Sequence, residues 1–222
     1  MFLPMSLRIF SRVCFNVADI RLEVENLSKS YNNTNVFSSL SFSLPDKESL
    51  GVVGGNGRGK TTLLNIIAGL EKPTSGALSV SAKIGYVMQR GGYVERLSLK
   101  DNLLFFATLH GLSNRQAKER IEYCVEVCRL SRELNKRADK CSFGWTKRLS
   151  VAIALLNSPE LLLLDEAASG LDTQSKEDLG QILHRLKNEG CCLVMVSHHK
   201  AEILEFCEKI LDIETGTILC EN

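Results

Sequence analysis

The reading turns on Leu50-Gly51-Val52-Val53 followed by Gly54-Gly55-Asn56-Gly57-Arg58-Gly59-Lys60-Thr61. A short apolar strand enters a loop of the form Gly-x4-Gly-Lys-Thr, and the residues from Thr61 to Leu70 have a helical pattern. Glycines let the main chain curl so that several N–H groups face one anion, and the N-terminus of the helix adds partial positive charge. In such a cradle Lys60 reaches the β- and γ-phosphates of a nucleotide, and Thr61 offers its hydroxyl to Mg²⁺. Gly54, Gly55, Asn56, Gly57, Arg58 and Gly59 supply the loop, and Thr62 adds an α-phosphate contact.

Downstream, Leu161-Leu162-Leu163-Leu164-Asp165-Glu166 is an apolar run ending in two acids. A run buried on both faces belongs in a parallel sheet, and ligands collect at the carboxyl ends of such strands. Asp165 is there to hold Mg²⁺ through water, and Glu166 to polarise an attacking water as general base.

Around these motifs the chain alternates strands and helices. Ile20–Val24 and Leu40–Leu44 alternate apolar and polar residues, with Asn32-Asn33-Thr34 as a turn. Strands are expected over Ala77–Val80, Ile84–Met88 and Cys192–Ser197, and helices over Thr173–Asn188 and Ala201–Cys207. Lys209–Ile213 and Thr217–Cys220 form a last hairpin. Ser98-x-x-Asp101 and Ser113-x-x-Gln116 open two helices, so that the middle, about residues 90–148, is a helical insertion. Lys147-Arg148 reads as a solvated helix face, and His110 and His184 as structural residues.

Composition narrows the partners. The 222 residues carry 27 Lys+Arg against 26 Asp+Glu, a net charge of +1, without the basic excess of a general nucleic-acid binder. No apolar run approaches the ~20 residues that span a bilayer, so a membrane role is expected to come through a partner. The 8 cysteines show no Cys-x-x-Cys pair and read as reduced, mostly buried thiols. Residues 1–18 contain Arg8 and Arg12 and no acid. They read as a leader (a plain extension or an upstream start codon, against a targeting presequence or a weak signal peptide) before a domain over 19–222.

The ordered set of motifs resembles the ATP-binding cassette (ABC) ATPases, over about residues 20–220. Tyr31 stands where that family places an aromatic that stacks on adenine. Gln89, ending Ile84-Gly85-Tyr86-Val87-Met88-Gln89, stands at its Q-loop, where the residue senses Mg²⁺ and water. Ser169-Gly170-Leu171-Asp172 resembles its D-loop, and His198, rather than His199, its switch histidine. Cys141-Ser142-Phe143-Gly144-Trp145 stands at the signature, usually Leu-Ser-Gly-Gly-Gln; Ser142 and Gly144 persist, while Phe143 and Trp145 depart from it.

The resemblance implies an α/β fold: a P-loop NTPase core with a parallel-rich central sheet, an antiparallel N-terminal β subdomain and an inserted helical subdomain. It implies ATP and Mg²⁺ as cofactors, with Lys60, Gln89, Glu166 and His198 in catalysis and Thr61, Gln89 and Asp165 at the metal. Ser142, Gly144 and Asp172 would meet nucleotide across a homo- or heterodimer. A transmembrane permease would be the partner, on the cytoplasmic face of a membrane, most like export-type transporters. With the last hairpin near the end, no C-terminal regulatory domain is expected. Alternatives are a soluble ABC ATPase without membrane partner, or a weakly hydrolysing regulatory subunit because of the altered signature. A small-molecule kinase is disfavoured by Gln89, Ser142-x-Gly144 and His198.

Overall fold

The computed structural model describes residues 20–220, except 33 and 199. The leader over 1–18 and His199 lie outside the described residues. In chain order the strands are β1 (Ile20–Tyr31), β2 (Thr34–Pro45), β3 (Ser49–Val53), β4 (Ser75–Val80), β5 (Ile84–Val87), β6 (Leu161–Asp165), β7 (Cys192–Val196), β8 (Lys209–Asp212) and β9 (Thr217–Cys220). The helices are α1 (Lys60–Ile67), α2 (Leu99–Leu109), α3 (Asn114–Val127), α4 (Phe143–Leu155), α5 (Thr173–Asn188) and α6 (Lys200–Phe206).

β3 lies inside a six-stranded sheet of order β5-β6-β7-β3-β8-β9. It pairs in parallel with β7 on one side and β8 on the other, and only the edge strand β9 runs antiparallel. β6 and β7 are buried at every position. Alternate residues of β6 feed two cores: Leu161 and Leu163 pack with α1 and the N-terminal strands, Leu162 and Leu164 with the helices beyond the other face. Because both faces are covered, no position in the run could be polar.

The N-terminal strands form a separate antiparallel sheet of order β2-β1-β4. Leu22 pairs with Leu44, and Val24 with Leu78, lining the first core. β1 outruns the alternation at Ile20–Val24: the pairing shifts beyond Val24, where Asn26 has φ +48°, and the strand continues to Tyr31. A bulge of this kind breaks the period of two that the sequence displays.

Between β5 and β6 lie the helices α2, α3 and α4. Ser98 Oγ accepts from Asp101 N–H at 3.0 Å to cap α2, and Ser113 with Gln116 closes a reciprocal capping box on α3. α4 continues beyond the expected boundary at 148 because Leu149–Leu155 is a wholly buried stretch packed against β5. Lys147 and Arg148 contradict the reading of a solvated face: they are 3% and 9% exposed. From Thr146 to Leu155 every residue of α4 is buried, so this stretch has no solvated face, and each cation has its own partners inside. Lys147 meets backbone carbonyls. Arg148 stacks 3.9 Å from the Trp145 ring centroid and sits 3.6 Å from Asp178.

Among the described residues, Cys124, Cys128, Cys191, Cys192 and Cys207 are buried free thiols and Cys141 is partly exposed. Burial pushes the Cys124 thiol up to about 12, so it stays protonated. No described helix is long and apolar enough to cross a membrane.

Candidate functional site

The glycine-rich loop is shaped by what surrounds it. Gly59 has φ +87°, and a Cβ there would lie 2.3 Å from Val36 Cγ1 on β2, so only glycine fits. α1 begins directly after it with no side-chain cap, leaving its first-turn N–H groups to the cleft. Lys60 lies against the loop, its Nζ donating to the carbonyls of Gly54 and Gly55, both at 2.9 Å. From the turn after β8, Glu214 Oε1 accepts from Gly55 N–H at 2.8 Å, and its other oxygen pairs with Arg58 at 3.2 Å.

The acids come from the end of β6. Asp165 is 3% exposed and accepts from Thr61 Oγ1 at 3.2 Å. Burial raises its pKa; the Thr61 bond opposes the rise, the Glu166 charge adds to it, and Lys147 and Lys60 oppose it. Glu166 has φ +45°, a left-handed backbone rare outside glycine, and its N–H donates to the Val196 carbonyl at 2.9 Å. Its carboxylate then meets Gln89, whose Nε2 donates at 2.8 Å, and lies 3.7 Å from His198 Nδ1. The Thr61 hydroxyl, the buried Asp165 carboxylate and the Gln89 amide supply oxygen donors of the kind Mg²⁺ takes. A cation beside Asp165 would also offset the burial that raises its pKa. These residues therefore fit the ion.

A cleft of about 380 Å³ brings together Tyr31, Val36, Asn56, Gly57, Gly59, Lys60, Thr61, Thr62, Gln89 and Glu166. Gly54, Gly55 and Arg58 form the loop's base, Asp165 lies behind Thr61, and His198 behind Glu166. Tyr31, 46% exposed, is tethered by its hydroxyl to Glu71, and Lys29 bridges Glu71 at 2.9 Å.

Ser142, Gly144 and Asp172 do not line this cleft. They gather instead at the starts of α4 and α5. Exposed Ser142 precedes α4, while a Cβ on buried Gly144 would lie 2.2 Å from Ser175 Oγ. The Asp172 carboxylate accepts from Ser175 N–H at 2.8 Å and caps α5. Phe143 is 43% exposed, and its ring lies over Gly170. His110 stands at the end of α2, where its backbone N–H closes the last turn, and His184, half-exposed, packs on Phe206.

Two residues that the sequence reading missed hold this site in place. Lys147 donates to the carbonyls of Met88 and Gln89; burial lowers its pKa to about 8, and the Asp165 charge opposes the fall. Its signal was the apolar stretch after it, which leaves no side of α4 for solvent. Glu214 had none, since its partner Gly55 lies 159 positions away.

A curled loop between a parallel strand and an uncapped helix, beside a buried acid at the end of the strand two places away in the same sheet, defines a P-loop nucleotide-binding protein. The family model described as "ABC transporter" matches residues 37–169. The chain is 30% identical over 210 residues to the linearmycin resistance ATP-binding protein LnrL of Bacillus subtilis, covering 89% of this chain and 68% of that protein. It is 31% identical over 217 residues to the Nod factor export ATP-binding protein I of Sinorhizobium fredii, covering 92% of this chain and 63% of that one. Among solved structures, an ATP-binding subunit of an ABC transporter superposes with a TM-score of 0.79 at 26% identity, covering 90% of this chain and 89% of that one. A dimeric ATP-binding cassette in a post-hydrolysis state with ADP and Pi shares the fold, with a TM-score of 0.80 at 24% identity over 90% of this chain and 98% of that one. The chain belongs to the ABC transporter family, as an ATP-binding, ATP-hydrolysing subunit.

Proposed function

We propose that this chain drives export through a transmembrane permease, on the cytoplasmic face of a membrane, by hydrolysing Mg²⁺-ATP in a head-to-tail pair with a second ATPase subunit, identical or related. The observation that carries the reading is the single cleft in which an aromatic face, the phosphate loop, Gln89 and Glu166 converge. The names of the two curated relatives, one in export and one in resistance, support an exporter. Residues 19–222 form the ATPase domain in this reading, with the helical insertion running from about residue 90 into α4.

The Tyr31 ring stacks on the adenine. The loop N–H groups and α1 receive the phosphates, and Lys60 leaves the Gly54 and Gly55 carbonyls for the β- and γ-phosphates. Thr61, Asp165 and Gln89 would hold Mg²⁺, which when bound would neutralise phosphate charge. Glu166 takes the proton of the attacking water, while Gln89 and His198 hold its carboxylate in line. Ser142, Gly144 and Asp172 close the γ-face of the nucleotide held by the facing subunit, so ATP joins the two and hydrolysis releases them.

Phosphate release by the purified chain, with Lys60→Ala as control, tests this, together with co-purification of a permease from solubilised membranes. Turnover no greater than that of Lys60→Ala would refute the assignment. Exposed Phe143 at the signature favours a second reading, in which hydrolysis is weak. Under that reading Phe143→Gly raises turnover, and a flat response removes it.

A further inference from the structure

Helix α4 grips the segment carrying Gln89 at three points. Lys147 Nζ donates to the carbonyls of Met88 at 3.1 Å and Gln89 at 2.8 Å, and the Ser150 hydroxyl shares its one proton between the Gly91 carbonyl and the Thr146 carbonyl of its own helix, both at 3.0 Å. Three residues apart on a helix, Lys147 and Ser150 share a face. The segment they hold follows β5 and belongs to no helix or strand, so no regular hydrogen-bond ladder places it. At its far end Asn102 of α2 brackets Val94, accepting from its N–H at 2.7 Å and donating to its carbonyl at 3.0 Å. The near end, where Gln89 lies, depends on α4. Burying an ammonium group is costly unless its hydrogen bonds are made, and Lys147 is 3% exposed with both carbonyls as acceptors. From there the path to the reacting groups is one step, because Gln89 Nε2 donates to Glu166 Oε2 at 2.8 Å.

We propose that Lys147 is a positioning residue for ATP hydrolysis: it fixes the backbone of Met88 and Gln89 so that the Gln89 side chain meets Glu166. This inference rests on the roles given above to Gln89 and Glu166.

The test uses the full chain. Hydrogen–deuterium exchange is followed over residues 88–93 in the wild type, Lys147→Met and Ser150→Ala, alongside affinity for a fluorescent ATP analogue and steady-state turnover. In Lys147→Met, exchange over 88–93 speeds up and ATP affinity is unchanged. Turnover falls by about 10- to 100-fold, the loss typical when the support of a ligating group is removed. Lys147→Arg, which keeps N–H donors, recovers most of it. On a Gln89→Ala background, Lys147→Met costs little further turnover, whereas a merely structural role would cost the same on either background. Ser150→Ala shows a smaller change in the same direction and carries the comparison if Lys147→Met does not fold. Unchanged exchange over 88–93 in the single variants, or equal losses on both backgrounds, overturns the proposal. If Gln89→Ala turns over like wild type, the role given to Gln89 fails on its own account, and the exchange data still decide whether Lys147 holds the segment.

Discussion

Replacing Glu166 by Gln removes one charge while keeping size and shape. The Glu166 side chain is 16% exposed and held by Gln89 Nε2 at 2.8 Å, with His198 Nδ1 3.7 Å away. Glutamine retains an oxygen to accept from Gln89, so the cleft keeps its form and ATP binding is undiminished. What is lost is a base for the attacking water. A positioned general base contributes ~10²–10⁴ in rate, which at ~1.36 kcal/mol per tenfold is ~2.7–5.4 kcal/mol of barrier. Turnover in a phosphate-release assay therefore falls by at least ~100-fold, with ATP-bound dimer accumulating on size exclusion in Mg²⁺-ATP. The Glu166 charge also helps to raise the Asp165 pKa. Its removal lets that pKa fall, so Mg²⁺ binding persists to lower pH than in the wild type. Glu166→Gly separates chemistry from strain. At φ +45° a non-glycine residue costs ~1–2 kcal/mol, against ~0.5–1 kcal/mol for glycine's greater freedom when unfolded. Glu166→Gly should thus abolish turnover with an unchanged or slightly higher Tm. Turnover of Glu166→Gln within threefold of wild type would refute the general-base role.

Gly59→Ala places a methyl 2.3 Å from Val36 Cγ1 at φ +87°; ATP binding is lost and Tm falls by at least ~4 °C, measured by calorimetry. Tyr31→Ala weakens ATP affinity by ~1–3 kcal/mol through lost stacking, while Tyr31→Phe, which gives up only the hydroxyl contacts with Glu71 and Thr62, keeps most of it in a titration. Asp165→Asn abolishes Mg²⁺-dependent turnover yet raises Tm in Mg²⁺-free buffer at neutral pH, because a buried charge is removed. The same raised pKa means that wild-type stability without Mg²⁺ increases as pH falls through the folded value toward 3.8, the ordinary carboxylate value, while the Asn variant lacks that rise in a melting series.

How much of this molecule is legible in its residue order depends on the range of the forces involved. α5 spans Thr173–Asn188 as its pattern predicts, and Ser98 and Ser113 cap the helices they precede. Capping and periodicity are settled within a few residues. The phosphate loop is equally local, because glycines, a lysine and a helix start lie together in eight positions from Gly54 to Thr61, and the leucine run of β6 announces a strand covered on both faces. Folding alone decided the rest. Lys147 and Arg148 look like surface charges until α4 is buried and each finds its partners. Glu166 becomes left-handed only where the end of β6 meets the Val196 carbonyl. Tyr31 and Glu71, and likewise Gly55 and Glu214, are joined by packing rather than by neighbourhood along the chain. Charges and strained backbones are tolerated inside a protein only where distant groups compensate them, and which distant groups arrive is a property of the folded sheet and helices, not of any stretch of sequence.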